Sequence, residues 1–164
     1  MLIVADSGPL IVFARSAHLD LLHAIAADVV VPATVLRECT SDVRLPGAAA
    51  ILVALRDGVL IERDDAAATG RLGALATLDA GETAAIALAI ELRAPVLMDE
   101  RLGRAVARHH QVPVIGSAGV LLRAKQLGRI DAVRPILDAW RQDIGYFMSD
   151  ALRAEVLRRA GETP

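Results

Sequence analysis

The chain has 164 residues, 54% of them hydrophobic, and a formal net charge of −2 at pH 7. This length suits one domain with a substantial core, and no overall basicity indicates a nucleic-acid partner, so any such binding must use a local patch. Aromatic residues are few, with two Phe, one Trp and one Tyr, which argues against base recognition by several stacked rings.

The sequence carries no indication of export or of membrane insertion. Its single cysteine excludes an intramolecular disulfide and fits a reducing cytoplasm. The apolar N-terminus lacks a preceding basic segment and is soon interrupted by an acid, so a signal peptide is not expected. No apolar run approaches the length that spans a bilayer. We therefore expect a cytoplasmic protein that has no membrane partner.

Short apolar segments alternate with helical patterns along the chain. In order, we predict a strand at 2–5, a helix from residue 10, a short helix at 19–26, a strand at 29–31, helices at 33–41 and 46–57, and a strand at 59–61. After a polar, glycine-containing connection come a helix at 80–92, a strand at 95–98, a helix at 101–110, a strand at 112–115, and helices at 117–127, 131–141 and 149–160.

This alternation predicts an α/β fold: a three-layer α/β/α sandwich around a parallel sheet of four to five strands, built as one domain over residues 1–164. Helix 80–92 is apolar on all sides, which predicts that it is buried. The carboxyl ends of parallel strands are where such folds bind ligands.

Asp6 stands at that position, directly after the first predicted strand. As part of Asp6-Ser7-Gly8-Pro9, it could equally cap the next helix or shape a turn. Ser7 could serve as the cap instead, which would leave Asp6 free. Taken alone, the residue supports both interpretations.

The other acids are similarly balanced. Glu38 is either a solvent-exposed helix residue or shares the inner side of helix 33–41. Asp79 and Glu82 have the spacing of a capping box, but Glu82 also lies at the positive end of the buried helix. Asp99 could cap the helix that follows it. Glu100 could instead form an ion pair with a residue one turn further along that helix.

Topology favours a shared function for four of these acids. Asp6 and Asp99 follow parallel strands, and Glu38 and Glu82 lie in the first turns of helices that begin at the same edge of the sheet. Four carboxylates in one crevice would repel one another unless a cation were present. Oxygen ligands without His or Cys suit Mg²⁺ or Mn²⁺, and the matching chemistry is metal-assisted hydrolysis of a phosphodiester.

The order and spacing of several segments resembles the PIN-domain ribonucleases, in particular the VapC-like toxins and their single-domain relatives. The segments are VADS at 4–7, VPATVLRE at 31–38, LDAGETAAI at 78–86, VLMDERLGR at 96–104 and VIGSAG at 114–119. The resemblance implies a metal-dependent endoribonuclease that is a homodimer, with a small antitoxin protein as partner if it is a toxin. The implied metal and catalytic residues are Asp6, Glu38, Glu82 and Asp99.

Two departures from the family pattern support an alternative. The family more often has aspartate at the start of the central helix, where this chain has Gly81-Glu82. It often has Thr-x-Asp after the fourth strand, where this chain has Met98-Asp99-Glu100, so Glu100 is a second choice for the fourth ligand. The alternative is a catalytically weak or inactive PIN-like module that binds RNA or protein. A phosphohydrolase with Asp6 as nucleophile is a further alternative, but it lacks the second aspartate expected at position 8.

Four residues are candidates for contacts to an RNA substrate. Arg101 and Arg104 belong to a stripe of arginines that is either a solvated helix face or a phosphate-contacting edge. Ser117 lies in a glycine-flanked turn that opens a helix, where amides could hold an anion. Ser7 adjoins the first carboxylate. The hypothesis assigns substrate contacts to Ser7, Arg101, Arg104 and Ser117.

Overall fold

The computed structural model describes residues 1–73 and 77–164. The strands in this part of the chain are β1 (Leu2–Ala5), β2 (Asp28–Pro32), β3 (Ile61–Arg63), β4 (Val96–Leu97) and β5 (Val114–Ile115). They pair in parallel in the order β3-β2-β1-β4-β5, which confirms the predicted α/β class with a parallel sheet.

Helices cover both faces of the sheet. They are α1 (Ser7–Arg15), α2 (Ala33–Thr40), α3 (Ala48–Arg56), α4 (Ala66–Leu72), α5 (Ala80–Leu92), α6 (Arg101–His109), α7 (Ser117–Gln126), α8 (Arg134–Ala139) and α9 (Asp150–Arg159). A 3₁₀ helix spans Leu19–Ala24, and a π-helical turn spans Trp140–Ile144. In the two stretches that the structure describes, none of these helices is both long and apolar enough to cross a membrane.

Successive residues of β1 point to opposite faces of the sheet and enter two separate cores. Ile3 and Ala5 belong to the larger core, which includes residues of α1, α2, α3, α7, α8 and α9. Val4 belongs to the smaller core, formed largely by the buried helix α5 with contributions from α4 and α6. This period of two is the ordinary geometry of a strand and places the sheet between two helical layers. The three-layer arrangement is confirmed.

The chain changes direction across the sheet at β1. Val4 pairs with Val30 of β2 on one side and with Val96 of β4 on the other. β1, β2 and β3 extend the sheet one way, and the chain then crosses over to add β4 and β5 on the opposite side. Such a switch point opens a crevice beyond the carboxyl end of the central strand. Asp6 lies there, with its amide donating to Leu97 O at 3.0 Å.

The strand predicted at 59–61 lies two residues further along, at 61–63. The amides of Val59 and Leu60 donate to Ala54 O, because they close the C-terminus of α3 around Gly58, whose φ is +75°. Leu60 is therefore buried as part of a turn. Hydrophobicity marked the buried residue correctly, but the edge strand that follows is exposed along its length.

Two predicted helices and one predicted connection also differ from the structure. Residues 66–72 of the predicted polar connection form α4, and residues 74–76 of that connection lie outside the described residues. The helix predicted at 19–26 is the 3₁₀ helix, and the one predicted at 131–141 begins at Arg134 and gives way to the π-helical turn. α4 is rich in Ala and ends in Thr-Gly-Arg-Leu, so it lacks the apolar period on which the prediction depended.

Two aspartates beyond strands bind helices of the neighbouring strand units. Asp65, beyond β3, accepts hydrogen bonds from the amide and hydroxyl of Thr34 in α2, at 2.8 and 2.9 Å. Asp99, beyond β4, accepts from the amide and hydroxyl of Ser117 in α7, at 2.8 and 2.6 Å. The two arrangements lie on opposite sides of β1 and connect α2 and α7 to the strand ends.

Candidate active site

Asp6 is buried but does not cap α1. Only 3% of the residue is exposed, and although it stands at the N-cap position of α1, its side chain accepts no capping hydrogen bond from that helix. Its Oδ1 has no hydrogen-bond partner among the described residues. Buried polar atoms are nearly always hydrogen-bonded, so an unpartnered carboxylate oxygen at a switch point indicates a ligand site. Asp6 thus occupies the N-cap position of α1 without capping the helix through its side chain.

Asp79 and Glu82 form the capping box that their spacing predicted. The Glu82 amide donates to Asp79 Oδ1 at 2.8 Å, and the Asp79 amide donates to Glu82 Oε2 at 3.2 Å. The other oxygen, Glu82 Oε1, lies 3.1 Å from where a Cβ on Gly103 of α6 would stand. The box thus fixes one oxygen of a buried carboxylate and leaves the second between α5 and α6.

Glu38 reaches from α2 to the start of α5. The residue is exposed, yet its Oε2 occupies space that a Cβ on Gly81 would need. Only glycine at position 81 therefore permits this approach without moving the side chain. Because Gly81 precedes Glu82, the contact brings the carboxylates of α2 and α5 to the same place.

Electrostatics shows that these carboxylates act on one another. Burial is the largest effect and raises the pKa of Asp6 to about 7, against the opposing effect of the Ser7 amide, which is second in size. The charges of Glu82, Asp79 and Glu38 raise the pKa of Asp6 by smaller amounts. Burial and then Asp79 raise the pKa of Glu38. Burial likewise raises the pKa of Glu82, with Asp79 and Glu100 adding to it. The protein holds a group of mutually repelling acids, which a cation would stabilise.

Asp99 is placed differently from the other predicted ligands. Both of its oxygens accept from Ser117, and the phenol of Tyr146 lies close enough that burial and then Asp99 raise the tyrosine pKa. Glu100 accepts a hydrogen bond from an α6 amide, and its charge is one of those that raise the pKa of Glu82. Asp6, Glu38 and Glu82 thus lie close enough for their charges to act on one another, and the charge of Glu100 acts on Glu82. Asp99 is hydrogen-bonded to the start of α7.

The predicted substrate contacts lie in three environments. Arg101 and Arg104 line a groove of about 790 Å³ beside the acids, whose walls also include Gly8, Asp99 and Glu100. Arg104 donates from Nη1 to Met98 O at 3.0 Å. Ser7 begins α1 and is half-buried, while Ser117 is fully buried with its hydroxyl donated to Asp99.

The donor chemistry fits a hard divalent cation, although the acids are not preassembled around one. Within residues 1–73 and 77–164, no three Asp, Glu, His or Cys side chains form a group that could hold a metal ion as they stand. The available donors are carboxylate oxygens, one of them buried without a protein partner, and these are the ligands that Mg²⁺ and Mn²⁺ take. The side chains of Glu38 and Glu82 have several rotatable bonds, so both carboxylates can change position when a cation binds.

A family model assigns the chain to the PIN domains, and the fold agrees with this assignment. The family model DUF3368, described as a PIN domain, matches residues 2–162. The chain belongs to this family, which commonly consists of nucleases. The resemblance noted from the sequence segments is confirmed at the level of the family.

A solved structure shares the fold. A PilT N-terminus domain protein from the hyperthermophilic archaeon Sulfolobus solfataricus P2 matches with a TM-score of 0.53 and 17% identity, over 73% of this chain and 90% of that one. At this identity the likeness concerns the fold alone. None of the curated proteins compared with the chain is similar enough to count as a relative.

Sequence reasoning missed several residues that shape the site. Gly81 and Gly103 make room for Glu38 and Glu82, and Tyr146 lies beside Asp99. A glycine next to the candidate ligand Glu82 was the signal for close approach of another side chain. Tyr146 lies 47 positions beyond Asp99 in the sequence, and no local sequence pattern connects the two residues.

Proposed function

We propose that this protein is a Mg²⁺- or Mn²⁺-dependent endoribonuclease that hydrolyses RNA phosphodiester bonds. The observation that supports it best is the unpartnered, buried Oδ1 of Asp6 at the switch point, among carboxylates that raise its pKa. Membership of the PIN family, in which nucleases are common, supports the same reaction class.

Asp6, Glu38 and Glu82 would hold the metal, directly or through water, with Asp99 or Glu100 completing the set. A divalent metal at this place supplies activation of a water and neutralisation of charge on the phosphate. Asp79 restrains Glu82 through the capping box, and Ser117 holds Asp99.

Other residues would bind the substrate and exclude bulk water. Arg101 and Arg104 stand on α6 where phosphates flanking the scissile bond would enter the groove. Ser7, at the start of α1, adjoins Asp6 on the side of the same groove, which Gly8 lines. The burial of Asp6 keeps the reacting end of the crevice low in solvent, which strengthens the electrostatic interactions there.

Incubation of the purified protein with end-labelled RNA tests this function. We expect discrete cleavage products with Mn²⁺ or Mg²⁺ and none with excess chelator, because phosphodiester hydrolysis here requires the cation. A panel of RNAs with different sequences is needed, resolved on denaturing gels. Products that persist in chelator would contradict the metal requirement.

Asp99→Asn and Glu100→Gln distinguish the two candidates for the fourth position. The variant that removes a metal-binding or water-holding carboxylate should lose about tenfold to 100-fold in cleavage rate, the range for groups that support a metal site. We expect the larger loss for Asp99→Asn, because Asp99 leaves its strand directly at the crevice. A larger loss for Glu100→Gln would reverse this assignment.

Gly81→Ala is expected to weaken Mn²⁺ binding by about tenfold or more. The new Cβ would occupy the space of Glu38 Oε2 and displace that carboxylate. Stability should hardly change, because the displaced group is the end of a flexible side chain and Ala favours helices over Gly by up to about 1 kcal/mol.

Titration calorimetry with Mn²⁺ measures the effect of Gly81→Ala. Gly70→Ala is the matched control, since Gly70 also lies in a helix and a Cβ there would contact nothing within 4 Å. Equal affinities of the two variants would rule out Glu38 as a ligand held by this contact.

Finer features follow from the likeness to VapC-like toxins. We propose that residues 1–164 work as one PIN-like domain in the cytoplasm, as a homodimer and as the toxin of a toxin–antitoxin pair with a small antitoxin protein. The extent of the family match, residues 2–162, supports the single domain. The side formed by α1 and α3 carries an apolar groove of about 430 Å³ and exposes Leu52 and Val53, which supports a protein partner there.

A catalytically weak or inactive binding module is the second candidate. The specific observation in its favour is that the carboxylates in the described stretches are not preassembled for a metal. Glutamate at position 82, where the family more often has aspartate, points the same way. RNA binding without cleavage at any Mn²⁺ concentration would establish this function instead.

A further inference from the structure

The groove beside the acids is lined by a concentration of unpaired positive charge. Its walls, formed by α6, the start of α7 and the C-terminal segment, carry Arg101, Arg104, Arg108 and Arg159. In residues 1–73 and 77–164, none of these four arginines takes part in an ion pair. A chain with a net charge of −2 has therefore placed several guanidinium groups without an ion-pair partner among the described residues in one concave surface.

An exposed aromatic ring stands at the rim of this groove. Phe13, Trp140 and Tyr146 form a chain of edge-to-face contacts, with ring centroids 5.1 and 5.2 Å apart. Phe147 is outside this chain and is 87% exposed. Gly145, with φ +74°, ends the π-helical turn just before it. The core accounts for the other rings but not for Phe147.

We propose that this groove binds the RNA strand next to the scissile bond, with its arginines on successive phosphates and Phe147 stacked on one unpaired base. The identity of the ligand rests on the proposed function, and the position and mode of binding come from the groove. Guanidinium groups bind phosphate oxygens, and every base offers a face to an aromatic ring. The groove shares Asp99 and Glu100 with the acidic site, so a strand lying in it would lead to the metal ligands.

The arrangement of charges favours a polyanion over a protein segment. Glu100 and Asp99 are the acids of the lining, and Asp99 already accepts two hydrogen bonds from Ser117. The apolar part of the wall, which includes the exposed Leu152, suits the faces of bases and riboses. An apolar protein partner would have to bury the arginines without pairing them, which is costly.

Binding of a short fluorescein-labelled single-stranded RNA, followed by anisotropy in excess chelator, tests the proposal without any cleavage. Phe147→Leu should weaken binding by at least about fivefold, the low end of what stacking on one aromatic ring contributes. Phe147→Trp keeps a ring and should restore binding to within about twofold of the wild type. Leu127→Ala, at an exposed apolar residue just beyond the end of α7 and outside the groove, is the control and should have no effect.

The salt dependence separates phosphate contacts from stacking. Arg108→Gln should reduce the slope of log K against log salt by about 0.7, the value for one phosphate contact to a single strand. Phe147→Leu should lower the affinity and leave the slope unchanged. Arg129→Gln, an exposed arginine outside the groove, is the matched control.

Several outcomes would overturn the proposal. They are absence of RNA binding by the wild type, equal affinity of wild type and Phe147→Leu, or an equal loss for Phe147→Leu on duplex RNA of the same sequence. If Phe147→Leu affects only the binding of a protein partner, the groove belongs to that partner. If RNA binding depends on Phe147 but the protein cleaves no RNA, the proposed binding groove would be supported, and only the proposed nuclease activity would be contradicted.

Discussion

Asp6→Asn is expected to lower metal-dependent RNA cleavage by at least about 100-fold, because loss of a direct ligand should exceed the loss of a group that only supports one. Asn keeps the shape of the side chain and removes the charge that attracts the cation. The residue is buried at the end of β1, and its Oδ1 has no partner in the described part of the protein.

The same substitution should stabilise the metal-free protein. A rise in the pKa of Asp6 from its usual 3.8 to about 7 corresponds to a penalty of up to about 4 kcal/mol for the ionised form at pH 8. Asn removes that penalty but leaves a buried amide, whose cost is about 1–3 kcal/mol when unpartnered. A net gain of about 1–3 kcal/mol is therefore expected in chelator at pH 8.

Urea denaturation and the labelled-RNA assay, performed on the same preparations, measure both effects. Asp28→Asn is the control, since Asp28 is an exposed acid at the amino end of β2, on the opposite edge of the sheet. Loss of cleavage together with unchanged or higher stability assigns Asp6 to the chemistry. A variant that is destabilised and also inactive would show that Asp6 serves the fold.

The stability of the metal-free protein should fall as the pH rises from about 4.5 to about 7. In this window the folded chain holds a proton on Asp6, whose pKa burial raises to about 7, while the unfolded chain has released it. Burial also raises the pKa values of Glu38 and Glu82, and this acts in the same direction. The native state then binds more protons than the unfolded state, so the free energy of unfolding decreases with pH and becomes level above the pKa of Asp6.

Glu162 has the opposite effect, but at lower pH. Although burial raises the pKa of this carboxyl, hydrogen bonds from Lys125, Val133 and Arg134 lower it to about 2. Its stabilising contribution is lost only as the pH falls below the usual glutamate value. The two opposing trends are therefore separated on the pH axis, and maximum stability in chelator is expected near pH 4–5.

Excess Mg²⁺ or Mn²⁺ should abolish the fall in stability between about pH 4.5 and 7 and should raise stability most above pH 7. The reason is that the ion binds the ionised carboxylates. At about 100 times the dissociation constant the gain is about 2.7 kcal/mol, or roughly 5–10 °C in melting temperature for a chain of this length. Asp6→Asn should show neither the full pH slope nor the metal effect. Thermal melts at several pH values test this, and a metal-independent melting temperature at pH 8 would contradict the proposed site.

Much of the fold could be predicted from the sequence because it depends on local patterns. Leu2-Ile3-Val4-Ala5 and the all-apolar helix α5 are buried, as such runs predict. β3 was displaced because the apolar Leu60 is buried in a turn, and the exposed strand after it has no hydrophobic signature. α4 was missed because an alanine-rich surface helix lacks a strong period. The features missed are those set by tertiary contacts.

The part of the candidate site that lies at strand ends and helix starts could be predicted from the sequence. Asp6, Glu38 and Glu82 do converge, whereas the choice between Asp99 and Glu100 depends on the contact with Ser117, which lies on another strand unit. That assignment stays a prediction. The exposure of Phe147 was also beyond sequence patterns, since few aromatic residues argued against stacking and only the structure shows one of them left outside the core.

Asp65 and Asp99 hold the frame of this protein from both sides of β1, and Asp65 has no part in the proposed chemistry. Each accepts hydrogen bonds from the start of a helix on its own side of β1, from Thr34 and from Ser117 respectively. Asp6, Glu38 and Glu82 take no part in these contacts, so the width of the crevice does not depend on them. An enzyme with this construction can exchange single carboxylates without losing its shape. Natural or designed variants should therefore change their metal preference, or lose catalysis, and still keep the shape of the groove proposed to bind an RNA strand.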